Sequence, residues 1–179
     1  MNKWLILALL FVLPVAPLWA DEALNQALAR FVVNDTEQQT GDYQQEKYFK
    51  SLSQPMRSQG TFRVSRDEFV WQQLSPISNT LTLSQGTLIN TDYRNKQQVI
   101  QGADAFLNLL SALLTVQSQQ IAEFFTLSDV TEHCVKLTPH QGALSEVFAL
   151  VTLCGQTQVE KLLLDEHNGN RTDIRLQFK

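Results

Sequence analysis

The sequence predicts an α+β domain built around an antiparallel sheet. Three observations carry this reading. Eight to ten short segments alternate apolar with polar residues or are rich in β-branched and aromatic residues. The turn signals between them are short, which pairs neighbouring strands antiparallel. Two longer segments instead repeat apolar residues at helical spacing.

The chain starts with an apolar run. Met1-Asn2-Lys3 supplies a positive start, Trp4 to Val15 is apolar apart from Pro14, and Ala20 is a small residue before Asp21-Glu22. This is the pattern of an export signal, with residues 1–20 cleaved and residues 21–179 forming one domain. The alternative is an uncleaved membrane anchor. The run is too short to span a bilayer comfortably, and no later run approaches about 18 residues. No Cys follows the cleavage point to carry a lipid.

Glu22 to Val33 reads as the first helix, with Ala23, Leu24, Ala27, Leu28 and Phe31 on one stripe. Asn34 to Asp42 is polar and reads as a loop. Tyr43 to Leu52 is extended, and Pro55 ends it. In the next two strands Phe62 and Val64 share a face, as do Phe69 and Trp71, with Ser65-Arg66-Asp67 as the hairpin connection. Pro76 ends the second of these. Thr80 to Leu83, Thr87 to Asn90 and Lys96 to Ile100 continue the sheet. After Gly102, Ala103 to Val116 is the second helix, striped by Phe106, Leu107, Leu110, Leu113 and Leu114, and Gln117 to Glu123 extends it as a polar turn. The last third returns to strands at 124–127, 134–137, 147–154, 159–165 and 172–178, with Asn168-Gly169 as a hairpin turn that accepts positive φ.

Composition excludes some functions. The chain has 14 basic and 18 acidic residues and a net charge of −4, and losing Lys3 makes it more acidic by one. Nucleic-acid binding needs Lys and Arg gathered on one face, and no basic cluster exists. Charged residues are 18% and hydrophobic ones 44% of the chain, which argues against intrinsic disorder. His133, His140 and His167 are scattered, and no metal, nucleophile or phosphate motif is present. The expectation is a non-enzyme with no cofactor and no metal.

Cys134 and Cys154 are the only cysteines. In an oxidising compartment they are disulfide candidates, against the alternative of two buried thiols. A hairpin register placing Cys134 opposite Cys154 also places Val135 opposite Leu153 and Leu137 opposite Val151. Both constraints are then met, with the apolar pairs on the other face.

The apolar inventory leaves two readings. Phe is the commonest aromatic, with 10 residues, many on strands. The apolar sheet face either packs as an ordinary core or curls to line a lipid cavity.

An ordered set of motifs bears on this choice. Tyr43-x-Gln45-x-Lys47 is followed by Leu52-x-x-Pro55-Met56-x-Ser58-x-Gly60-x-Phe62, then by Phe69-x-Trp71 and Pro76. Phe125-x-Leu127, Leu137-x-Pro139, Leu153-x-Gly155, Asn168-Gly169 and Ile174-x-Leu176-x-Phe178 come later. In order and spacing these resemble the outer-membrane lipoprotein carrier family, the LolA-like proteins, in the branch associated with aryl polyene biosynthesis. The resemblance implies an α+β fold in which an incomplete antiparallel β-barrel, a curled sheet, is covered by helices over a hydrophobic cavity. It implies a soluble, monomeric periplasmic carrier of a Gram-negative cell, shielding an acylated lipoprotein or lipid-linked cargo. An inner-membrane donor complex and an outer-membrane acceptor are the implied partners. The cavity candidates are Phe62, Val64, Phe69, Trp71, Leu81 and Leu83 from the sheet, with Phe106, Leu110 and Leu113 from a helical lid. Family carriers latch the lid with an Arg shortly before Phe-x-Trp. Arg66 is the candidate here, one residue closer than usual and followed by Asp67 in place of Pro, and an exposed hairpin arginine is the alternative. Two other functions stay open: a periplasmic binding or assembly module without transport, and an enzyme acting on a lipid-linked substrate.

Overall fold

The computed structural model describes residues 18–31, 38–65, 67–101 and 104–179, with side chains omitted for 18–21 and 104–106. Most of the signal segment, Arg66 and the side chain of Phe106 therefore lie outside the described residues. Helix α1 spans Leu18–Leu28. Six strands follow: β1 (Gln38–Tyr48), β2 (Met56–Ser65), β3 (Glu68–Ser75), β4 (Asn79–Ser84), β5 (Thr87–Asp92) and β6 (Gln97–Ile100). Helices α2 (Asp104–Leu114) and α3 (Ser118–Phe124) lead to β7 (Phe125–Val130) and β8 (Cys134–Pro139). Helix α4 (Gly142–Val147) precedes β9 (Phe148–Cys154), β10 (Lys161–Glu166) and β11 (Arg171–Phe178).

All eleven strands form one sheet, in the order β6-β5-β4-β3-β2-β1-β11-β10-β9-β8-β7. Each meander arises from short hairpins, and the two meet where β1 pairs antiparallel with β11, Tyr43 opposite Leu176. Alternation decides the faces. Tyr43, Phe62, Val64, Phe69, Trp71 and Leu83 occupy one face and are buried, and the register carries that face on through Leu176, Ile174, Leu162, Leu153, Val135 and Leu137. The other face is polar and wet. There Arg57 stands opposite Glu46 at 2.7 Å, and Lys136 opposite Asp129 at 2.9 Å. Such opposed pairs contribute about 0.2–1 kcal/mol each.

The expected helix-covered half-barrel is corrected here. The molecule is mostly one open, curled sheet, and its helices cover little of it. Helices α3 and α4 have only 7 and 6 residues. The main helix-to-strand contacts fall on β4 and on β7, β8 and β9. The sheet must therefore bury much of its apolar face by its own curvature. Register shifts near Gln59/Gly60, Leu127/Asp129 and Asp165/Glu166 supply bends, because a bulge adds local twist. The polar stretch Gln38 to Asp42, expected as loop, is strand, because β2 and β11 satisfy its backbone on both sides.

A disulfide joins Cys134 and Cys154, whose Cα atoms are 4.1 Å apart. The pairing follows the register read from the sequence, with Val135 opposite Leu153 and Leu137 opposite Val151. The bridge lies on the face opposite those buried residues. Near it, the Arg30 guanidinium donates to the Thr131 and Glu132 carbonyls at 2.9 and 3.0 Å, tying the end of α1 to the β7–β8 turn.

Candidate functional site

The candidate site is the apolar sheet face where α2 meets it. It is built on two glycines. Gly41 is paired with Phe62, and Gly60 with Tyr43. A Cβ on Gly41 would lie 2.5 Å from the Phe62 ring, so the ring rests on the bare backbone. A Cβ on Gly60 would meet the Gln72 carbonyl oxygen at 1.8 Å, so only glycine lets β2 and β3 approach so closely. The space gained is filled by aromatics. Tyr43 stacks on Trp71 with ring centroids 3.8 Å apart, Phe62 meets Phe178 edge to face, and Phe69 tilts against Trp71.

Moving along this face toward the β1–β2 hairpin, the register replaces apolar residues with amides. Gln45, Gln73 and Asn79 follow Tyr43, Trp71 and Leu81. Where the two zones meet, a cavity of about 210 Å³ lies between the sheet and α2. Trp71, Leu81, Leu107 and Leu110 form its apolar wall, and the three amides form its polar end. None of these groups is charged. Two polar atoms on the face are buried without a hydrogen-bond partner, Tyr43 Oη and Asn90 Oδ1. Burial pushes the Tyr43 hydroxyl up to about 12, and the neighbouring Trp71 indole acts weakly in the other direction.

The structure gathers most of the candidates named from the sequence. Phe62, Val64, Phe69, Trp71, Leu83, Leu110 and Leu113 are buried in one cluster, and the half-buried Leu81 packs against it. They do not share one role. Trp71, Leu81 and Leu110 line the cavity, whereas Leu113 is fully buried and does not. Phe69 and Leu83 instead border a separate recess of about 270 Å³ at the opposite sheet edge, with Asn108 and Ser111 of α2. Sequence reasoning missed Leu107, Gln45, Gln73 and Asn79 as wall residues. Two-residue periodicity from Tyr43 and Trp71 would have put Gln45 and Gln73 on this face.

Elsewhere, acids are engaged in structure. Glu166 accepts from Lys47 at 3.0 Å and from the side-chain amides of Asn168 and Asn170. Burial raises its affinity for a proton, but the bonds from Lys47, Asn168 and Asn170 outweigh this and leave its carboxyl below the usual range. Among the described residues, no three His, Cys, Asp or Glu side chains converge as a metal site would. Nor is any described helix long and apolar enough to cross a membrane.

No protein-family model matches the sequence, and no curated protein does. Solved structures do resemble the fold. A DUF1329 family protein from Desulfovibrio piger aligns over 88% of this chain and 91% of its own, at 9% identity and a TM-score of 0.52. At that identity the likeness concerns the fold alone. A domain named for outer membrane lipoprotein sorting, from Vibrio parahaemolyticus, aligns over 89% of this chain and 92% of its own, at 7% identity and a TM-score of 0.35. The likenesses do not extend to a branch associated with aryl polyenes.

Proposed function

We propose that the protein is a periplasmic carrier that shields the acyl chains of a lipoprotein or lipid-linked molecule between the inner and outer membranes. One observation carries the reading. An open, curled sheet presents a continuous apolar face, and α2 roofs part of it over a cavity walled by Trp71, Leu81, Leu107 and Leu110. Acyl chains need little more, since each buried methylene contributes about 0.8 kcal/mol without specific contacts. The polar end suits an uncharged linkage. Gln45, Gln73 and Asn79 can donate to an ester or amide carbonyl, and they would not compensate a phosphate. Cargo entry requires α2 to move, because the cavity of about 210 Å³ is smaller than the roughly 300–1,000 Å³ of ordinary ligand sites.

That small size favours one other reading, a periplasmic binding or assembly module whose core is simply filled. Lipid extraction of the protein purified from its native host, with mass spectrometry of the extract, separates the two. The carrier reading expects co-purifying acyl lipids and saturable uptake of a fluorescent acyl probe, lost in Leu110→Asp. Absence of lipid in repeated preparations, together with no probe uptake, establishes the filled module instead.

A further inference from the structure

Nine large hydrophobic side chains are exposed among the described residues, and five of them fall on three alternate hairpins. Leu52 and Met56 belong to the β1–β2 hairpin, Leu74 and Ile77 to β3–β4, and Tyr93 to β5–β6. Each is 53–60% exposed. Antiparallel order puts these three connections on one edge of the sheet, while the β2–β3 and β4–β5 turns lie on the other. Scattered exposed apolar residues need no explanation, but this concentration on one edge does.

The same three tips are basic. Residues 46–58, 73–78 and 92–96 hold five basic residues and two acidic ones, in a chain whose net charge is −4. The β10–β11 tip, which pairing sets beside Tyr48, adds Asp165, Glu166 and Arg171. The two acids of the three tips are already engaged. Glu46 accepts from Arg57 and from the Tyr48 hydroxyl, and Asp92 Oδ1 accepts the backbone N–H groups of Arg94 and Lys96 at 2.8 and 2.9 Å. Lys47 pairs with Glu166. Lys50, Arg94 and Lys96 remain exposed, with no acidic partner among the described residues.

We infer that these three hairpin tips dock the protein on an anionic bilayer surface. The five apolar side chains enter the interface, and Lys50, Arg94 and Lys96 meet headgroup phosphates. Tyr93 carries Arg94 over its ring at 5.0 Å, a pairing of an interface-seeking aromatic with a phosphate-seeking cation. The distribution favours a bilayer over a protein partner. The apolar groups are split among three tips, each beside or between polar residues, whereas a protein interface gathers them into one desolvated centre. Because the adjoining β10–β11 tip and the rest of the molecule are acidic, contact is confined to these three tips and remains sensitive to salt. The tips also adjoin the cavity. Gln73, in its wall, donates from Nε2 to the Ile77 carbonyl at 2.9 Å, and Asn79, also in the wall, lies two residues past Ile77. Docking does not depend on the carrier reading, but where both hold it brings the polar end of the cavity to the headgroups.

Flotation of the purified protein with protein-free vesicles tests this. Vesicles of phosphatidylethanolamine with phosphatidylglycerol should carry the protein at low salt and release much of it at high salt, and phosphatidylcholine vesicles should carry little. Leu52→Asp with Ile77→Asp, and separately Lys50→Glu with Lys96→Glu, should each lower partitioning about tenfold or more. Val99→Asp, on an exposed site of edge strand β6, should leave it unchanged. Melting curves of the variants should match the parent, since every substituted side chain is exposed. Acyl-probe uptake without membranes should also persist in the tip variants, which separates failure of docking from failure of the carrier reading. Absence of partitioning into anionic vesicles overturns the inference. So does equal partitioning of the tip and Val99 variants, or retention only by vesicles containing a membrane protein.

Discussion

Shortening Leu110 to alanine asks whether the space beneath α2 is a binding cavity or a packing gap. Leu110 is buried and lines the cavity, and Leu113, one turn on, is buried without touching it. Removing three carbons from a buried leucine costs their transfer energy plus a cavity term, about 2.7–5.0 kcal/mol across comparable substitutions. Leu110 already borders empty space, so it has fewer contacts to lose, and about 3 kcal/mol is expected. Leu113→Ala should cost nearer 4 kcal/mol. At about 2–4 °C per kcal/mol, melting should fall by about 6–12 °C and 8–16 °C. Binding separates the pair further. Either variant loosens the roof and raises affinity for acyl probes of every length to a similar degree. Only Leu110→Ala enlarges the cavity itself. Room for two more methylenes adds about 1.6 kcal/mol, near fifteenfold, for probes long enough to use it. A titration with probes of graded chain length reads this as a shift in preferred length. If Leu113→Ala shifts the preference equally, or if Leu110→Ala loses stability with no change in length preference, the cavity is not where acyl chains sit.

Replacing both Cys134 and Cys154 with serine should cost about 3 kcal/mol, from a sequence separation of 20 residues, and leave probe uptake unchanged because the bridge lies on the far face. Glu166 titrates below the usual carboxylate range in the folded chain, so its contribution is fully present above that range and is lost as pH falls through the lowered value. Glu166→Gln should accordingly flatten the acid side of a melting-temperature profile, and an unchanged profile would rule this out. Gly60→Ala should destabilise by about 1–3 kcal/mol, or stop folding altogether, since its Cβ would meet the Gln72 carbonyl oxygen at 1.8 Å. Tyr43→Phe removes a buried hydroxyl that has no partner and should raise stability by about 1 kcal/mol, measured by urea unfolding. Weaker binding of ester-linked than of plain hydrocarbon probes to that variant would show the hydroxyl serving cargo.

Alternation made most of the sheet legible, and the apolar pairs flanking the cysteines made one register legible to the residue. Strand β1 was read one half late, because Gln38 to Asp42 shows no apolar pattern and is held by pairing on both sides. Helix α4 was missed, since six residues are too few to display a 3.6-residue period. The larger miss was the source of cover. Periodicity reports which face is apolar but not how strongly a sheet bends. Here bending depends on bulges, and packing depends on two glycines, one under the Phe62 ring and one that lets β2 approach β3, features visible only once partners are known. The candidate site was half legible for the same reason. Its aromatic floor stood out, while the amides at its polar end looked like ordinary surface residues until the register placed them beside Trp71 and Leu81.

If the protein carries acyl cargo as proposed, curvature also bears on how it releases that cargo. If helices supplied most of the cover, opening would expose the whole core. Here the sheet holds much of its own apolar face, and α2 adds five buried leucines: Leu107, Leu109, Leu110, Leu113 and Leu114. At about 2 kcal/mol each, lifting α2 clear costs about 10 kcal/mol. An acyl chain of about 15 methylenes, buried in its place, recovers about 12 kcal/mol. The exchange is nearly balanced. Cargo can then hold α2 aside without being trapped, and a modest external contribution, such as an interface that accepts the chain or restores α2, decides the direction. A thicker helical cover would tip the balance toward a closed and empty protein, and a bare sheet would leave the apolar face in water after delivery. One short amphipathic helix that can lift, over a self-curving sheet, lies between these two failures.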